Sequence, residues 1–116
     1  MYTKAGNHRV DVRENARGGK GKVVMHHLLE QEDLAPHSRL LGKIVIEPGN
    51  SMGFHTHHDE GEFFYILKGV ARISDGSEET LVYPGDSFFT ASGKSHSVEA
   101  EGDETLEYLA LVLSSV

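Results

Sequence analysis

GNSMGFHTHHDEGEFFYILKG, residues 49–69, is the stretch that decides how this chain is read. His55 and His57 lie two apart in a segment that can be extended, and side chains two apart on a strand share a face. Two imidazoles on one face can grip one metal ion. Gly61 lacks a Cβ, which allows a tight turn or bulge that brings the Glu62 carboxylate back toward the same ion. His96, far along the chain, is the natural fourth ligand. The pattern locates a site and says much less about the reaction.

Outward from this stretch the chain reads as a series of strands. On the N-terminal side, Leu40–Glu47 is rich in β-branched residues and ends at Pro48-Gly49. Val23–Leu29 is apolar enough for a strand. Its His26 and His27 are adjacent, face opposite ways and cannot share one metal, so both are read as packed or solvated histidines. Residues 1–21 form a polar arm with one short strand at His8–Val12, and Gln31–Leu34 makes one helical turn stopped near Pro36. On the C-terminal side, the chain turns at Asp59–Gly61 and continues as strands at Glu62–Leu67, Val70–Ser74, Thr80–Tyr83, Ser87–Thr90, Ser95–Ala100 and Thr105–Leu113. Asp75-Gly76, Pro84-Gly85-Asp86, Ser92-Gly93-Lys94 and Glu101-Gly102-Asp103 punctuate them. Closely spaced turns and no long helical period predict an all-β sandwich or barrel.

Composition bounds the function. At 116 residues the chain is one domain, with residues 1–39 as the arm and first strands and 40–116 as the core. No run approaches the roughly 18 apolar residues of a membrane helix. The N-terminal MYTKAGNHRVDVREN lacks the apolar core of a signal peptide. With no cysteine, disulfides and thiolate ligands are excluded, which fits a cytoplasmic protein. A net charge of −7 and the lack of any long Lys/Arg block argue against nucleic acid.

The spacing of the site residues resembles that of the small single-domain cupins. Their first motif runs Gly, five residues, His-x-His, three or four residues, Glu, six residues, Gly; Gly49, His55, His57, Glu62 and Gly69 match it. Their second runs Gly, five residues, Pro-x-Gly, two residues, His, three residues, Asn. Gly85, Gly93 and His96 match, while Ala91 and Ala100 replace the Pro and Asn. The resemblance implies a double-stranded β-helix, or jelly-roll, barrel with its site inside. It also implies a homodimer, commonly formed by exchange of N-terminal strands.

Three imidazoles and one carboxylate suit one divalent transition metal ion: Fe, Mn, Ni, Cu or Zn. On an octahedral metal they leave two positions for water, dioxygen or a chelating substrate. Glu62 is read either as a ligand or as a partner that orients a ligand histidine. His58 points away from His57 toward the mouth, and Asp59 and Glu60 are solvated turn residues. Phe64 and Ile66 share the face of Glu62, and Val98 that of His96; they are pocket wall or barrel core. Tyr65 and Tyr108 are the only acid–base candidates, each also readable as a core or edge tyrosine. Ser95 and His96 face opposite ways, so no triad forms. The expected function is a metal-dependent enzyme, of dioxygenase or isomerase type, acting on a polar small molecule. The alternatives are a non-catalytic sugar- or carboxylate-binding or sensing module, and a scaffold with a relic site. A phosphosugar substrate ranks low, because Lys43, Arg72 and Lys94 are the only nearby cations in sequence.

Overall fold

In the computed structural model, which describes residues 1–114, the chain builds ten strands and two single 3₁₀ turns. The strands are β1 (Arg9–Glu14), β2 (Lys22–Leu29), β3 (Ser38–Ile46), β4 (Ser51–Thr56), β5 (Glu60–Lys68), β6 (Val70–Ser74), β7 (Glu79–Val82), β8 (Ser87–Thr90), β9 (Ser95–Glu101) and β10 (Leu106–Ser114). They form a six-stranded sheet in the order β1-β2-β3-β10-β5-β8 and a four-stranded sheet in the order β4-β9-β6-β7, with antiparallel neighbours throughout. This is the all-β jelly roll expected. The arm is more ordered than its polarity suggested: β1 pairs with β2 over six positions, from Arg9↔His27 to Glu14↔Lys22.

Strand alternation builds the core. On β5, Glu62, Phe64 and Ile66 turn inward while Phe63, Tyr65 and Leu67 turn out. On β10, Leu106, Tyr108, Ala110 and Val112 are buried, and on β9 His96, Val98 and Ala100 are. Ala71, Ala100 and Ala110 sit among Phe64, Ile66 and Tyr108, so small and large side chains interleave between the sheets. Ala100 therefore belongs to the core, where a polar side chain would need a partner. At Ala91, the carbonyl accepts from the Lys94 N–H at 3.0 Å and closes the turn without a proline.

The two outer faces differ in chemistry. The four-stranded sheet turns Arg72, Ser74, Ser97 and Glu99 outward on its central strands and exposes Phe54 and Leu81 on its edge strands. The six-stranded sheet presents an apolar row across four strands, in which Leu41 pairs with Leu111, Leu111 with Phe63, and Phe63 with Phe89. Tyr65 and Leu109 form a second row beside it. Phe63, Tyr65 and Phe89 are 46%, 47% and 50% exposed, so the row is open on this chain.

Candidate metal centre

A β-bulge sets the site. β4 pairs with β9 through Met52↔Val98 and then His55↔His96, so the register slips by one residue between Met52 and His55. Without the slip, Phe54 would face inward with Met52. With it, Phe54 is exposed and His55 points into the barrel. His57 lies just past the end of β4 but is fixed by its backbone. Its N–H donates to the Lys94 carbonyl at 3.0 Å, and its carbonyl accepts from the Gly93 N–H at 2.7 Å. The turn before β9 thus clamps His57 opposite His96.

The reversal before Glu62 is made differently from the expected glycine turn. Asp59 takes the left-handed conformation, with φ 60°. Gly61 lies inside β5, and a Cβ there would stand 2.7 Å from the Phe89 ring. Its role is to make room for that ring.

The four predicted residues are brought together. His55, His57, Glu62 and His96 each offer a ligand atom within 4.8 Å of all the others. The Nε2 atoms of His55 and His57 lie 3.1 and 3.3 Å from that of His96. Glu62 Oε1 lies 2.9 Å from His57 Nε2 and 3.7 Å from His96 Nε2. Two ligands on one metal at ~2.1 Å, separated by 90° to 110°, stand about 3.0 to 3.4 Å apart, so the separations of 2.9, 3.1 and 3.3 Å suit the edges of one coordination shell and the 3.7 Å one is wider.

The outer partners orient the nitrogens. The Gly53 carbonyl accepts from His55 Nδ1 at 2.7 Å, and the Glu60 carboxylate accepts from His57 Nδ1 at 3.1 Å. Thr90 Oγ1 lies 2.7 Å from His96 Nδ1. Each imidazole therefore directs Nε2 at the common centre. Glu60 is itself held by Arg39 at 2.6 Å, which lowers its pKa. Glu60 and Thr90 are partners of the cluster histidines that the sequence did not disclose. Glu60 read as a solvated turn residue, and Thr90 meets the site only because β8 pairs Thr90 with Glu62.

Electrostatics point the same way. Burial, with the neighbouring imidazoles, holds His96 down to about 3, so it stays neutral at ordinary pH. Burial also lowers His55. The hydrogen bond to Glu62 raises His57, while burial raises Glu62, and their facing atoms lie 2.9 Å apart, a separation that a shared proton would bridge. A cation in place of that proton would satisfy the carboxylate and three lone pairs at once. The cluster could hold a metal ion, and its donor set fits a divalent transition metal.

Above the cluster opens a cavity of about 370 Å³, reached by His55, His57 and Glu62. Its apolar wall comes from Val23, Met25, Ile44, Met52 and Val112. Phe64, Ile66 and Val98 are core and do not line it. His58 is exposed and stands outside it. Tyr65 lies on the outer sheet face. Tyr108 is fully buried with its hydroxyl unpartnered, and burial raises its pKa well above the ordinary phenol value. His27 is a packed histidine, 2.7 Å from Asp11. The cavity's cations are Arg9, Arg13, Arg17 and Arg39, all from the first 39 residues. Lys43 and Arg72 instead face outward, paired with Glu107 and with Glu101.

Residues 42–112 match the family model for the Cupin domain. This chain is a cupin. Among its relatives, an oxalate-binding protein of Thermotoga maritima is 42% identical over 99 residues, which cover 85% of this chain and 82% of that protein. A crystal structure of a protein described as a predicted oxalate decarboxylase, also from Thermotoga maritima, superposes with a TM-score of 0.92 at 38% identity. It covers 98% of this cupin and 99% of that chain. The polyketide cyclase RemF of Streptomyces resistomycificus shares the fold with a TM-score of 0.76 at 20% identity, covering 100% of this chain and 81% of that one.

Proposed function

We propose that this cupin binds a small chelating carboxylate of the oxalate class on a divalent transition metal held by His55, His57, Glu62 and His96. The observation that carries the reading is the convergence of three oriented imidazole nitrogens and one carboxylate at the floor of an arginine-rimmed cavity. A divalent ion on one carboxylate ligand would remain a net positive centre, and four protein ligands would leave an octahedral ion two positions for an anion. The name of the 42% identical relative supports the same ligand class. Among dioxygenase, isomerase and binding functions, the carboxylate-binding reading is the one to which the arginines contribute directly. The metal supplies charge and an exchangeable chelation site; the chain orients the ligand atoms and walls the cavity with apolar side chains.

We further propose that two copies pair on the apolar outer face of the six-stranded sheet. The cysteine-free sequence suits a reducing, cytoplasmic compartment. No helix among the described residues is long and apolar enough to cross a membrane.

Elemental analysis of protein purified without chelators, followed by calorimetric titration with oxalate, tests the site. The expected result is about one transition metal ion per chain and oxalate binding that disappears after metal stripping. His96→Ala should lose most of the metal and remain folded. Equal oxalate binding by loaded protein, stripped protein and the His96→Ala variant would overturn the reading.

A further inference from the structure

The cavity holds a pair of side chains that chelation leaves idle. Val23, Met25 and His27 alternate along β2 and all line it, as do His55, His57 and Glu62 of the cluster. His27 Nε2 lies 2.7 Å from Asp11 Oδ2 on the neighbouring strand β1. Asp11 is fixed in turn, because Arg9 donates to the same oxygen at 3.0 Å and to Glu30 at 3.0 Å. Beside His27 across the sheet stand Gly42 on β3 and then Ala110 on β10. That row has no bulky side chain between His27 and Phe64.

The pair has a defined proton arrangement. The hydrogen bond to His27 holds the Asp11 carboxyl below its usual range, and a carboxylate can only accept. The proton of the neutral ring therefore sits on Nε2, and Nδ1 keeps its lone pair. Among the described residues Nδ1 has no hydrogen-bonding partner. It is not sealed off either, since the unpartnered side-chain atom that is fully enclosed is the Tyr108 hydroxyl. An imidazole with one nitrogen tied to a carboxylate and the other free is a base of fixed tautomer, and the carboxylate stabilises the imidazolium that forms. At about 370 Å³ the cavity is of the size that one small ligand fills, so a molecule on the cluster and the His27 ring share one space.

The ligand class proposed above adds the chemistry. Oxalate is flat, has no hydrogen on carbon, and presents the same O–C–C–O atoms as the enolate of a 2-oxo acid. A site that suits oxalate suits that enolate better than the 2-oxo acid it comes from, which is how a site favours a reaction. Resting on the chelation reading, we propose that this cavity enolises small 2-oxo acids, with His27 as the base and Asp11 as the residue that positions it. The bond that breaks joins hydrogen to the carbon next to the carbonyl. The proton goes to His27 Nδ1, the electron pair becomes a carbon–carbon double bond, and the carbonyl oxygen takes the negative charge. Return of a proton from His27 to that carbon restores the 2-oxo acid, carrying solvent hydrogen. No oxidant or second reactant enters. A divalent ion on the cluster would supply Lewis acidity toward the carbonyl oxygen.

Pyruvate in deuterium oxide is the probe, with the loss of its methyl proton signal followed by NMR. Zinc-loaded protein should exchange those protons faster than the same concentration of free zinc. His27→Gln should lower kcat by about a hundredfold or more, with KM little changed and zinc content kept. Asp11→Asn keeps the size of the side chain and removes its charge; kcat should fall, and Asp11→Glu should recover part of it. A readout without turnover comes from the ring-nitrogen chemical shifts of His27 at mildly alkaline pH. They should place the proton on Nε2 in the parent protein and show mixed tautomers in Asp11→Asn. Oxalate binding with no exchange above free zinc would overturn the proposal and leave the chelation reading standing. Equal kcat in His27→Gln, or a proton on Nδ1 in the parent protein, would also overturn it. Should zinc-loaded protein fail to bind oxalate, the chelation reading falls first and takes this one with it.

Discussion

His96 shows how one residue couples stability to site chemistry. In the metal-free chain its imidazole is buried against two others and titrates at about 3, against 6.5 when unfolded. Between those values the unfolded chain binds a proton that the folded chain refuses. Stability from this group is therefore full above pH 6.5, falls as the pH falls through the window, and is lost at about 3. Urea midpoints of metal-free protein should drop progressively below pH 6.5, and His96→Asn should flatten that dependence. An identical pH profile for the parent protein and the variant would show that the buried His96 environment is misassigned. Much of this residue-level picture is legible in the sequence. His-x-His spacing puts two nitrogens on one face, and a lone His96 on a later strand completes the set. The groups that aim those nitrogens were not legible. Thr90 lies six residues from His96 and belongs to another strand, and Glu60 reads as one more charge in an acidic turn.

At the scale of elements, the β4 bulge is where sequence parity and structure part. Alternation alone places His55 and His57 together correctly, yet it also puts Phe54 opposite them and gives no reason for His55 to face inward beside Met52. The one-residue slip does that, and at Gly53 the bulge meets the 3₁₀ turn at Arg17, 36 residues upstream in the chain. Long-range backbone contacts leave no periodic trace in sequence, which is also why the cavity arginines escaped notice while Lys43 and Arg72 drew it. Gly53→Ala tests the coupling. The added methyl meets backbone oxygen and nitrogen, which cannot rotate away, so a loss of about 1–3 kcal/mol is expected. Metal occupancy should fall with it, because the Gly53 carbonyl orients His55. Gly102→Ala is the comparison: its φ is +80° and a Cβ there meets nothing within 4 Å, so it should cost about 1 kcal/mol through strain alone and leave metal content unchanged. Full occupancy and an unshifted urea midpoint in Gly53→Ala would break the link between turn, bulge and site.

For the whole molecule, the contrast between the two outer faces is the informative feature. The six-stranded face carries a contiguous apolar row, whereas on the four-stranded face the exposed apolar side chains, Phe54 and Leu81, lie on the two edge strands beside a polar centre. The six strands, of 6, 8, 9, 9, 9 and 4 residues in sheet order, cover about 700 Å² at ~3.3 Å rise and ~4.8 Å spacing, close to the roughly 800 Å² that each partner contributes to a stable interface. On the pairing proposed above, charge favours a second copy as the occupant. The chain carries −7 overall, so most approaches bring like charges together, whereas on this face Lys43 and Glu107 lie 3.6 Å apart and cancel. A two-fold pair needs a face that accepts itself, and a neutral apolar one does. The protein should sediment at twice its chain mass at micromolar concentration. Phe63→Glu combined with Tyr65→Glu should sediment as a monomer, since both side chains are about half exposed and their replacement leaves the core untouched. Ser74→Glu, on the polar face, should keep the paired mass. A monomeric parent protein, or a double variant that still pairs, would place the contact elsewhere. Retention of metal by the monomeric variant would add a separate result: that each barrel builds its four-ligand centre alone, from β4, β5, β9 and the turn that clamps His57.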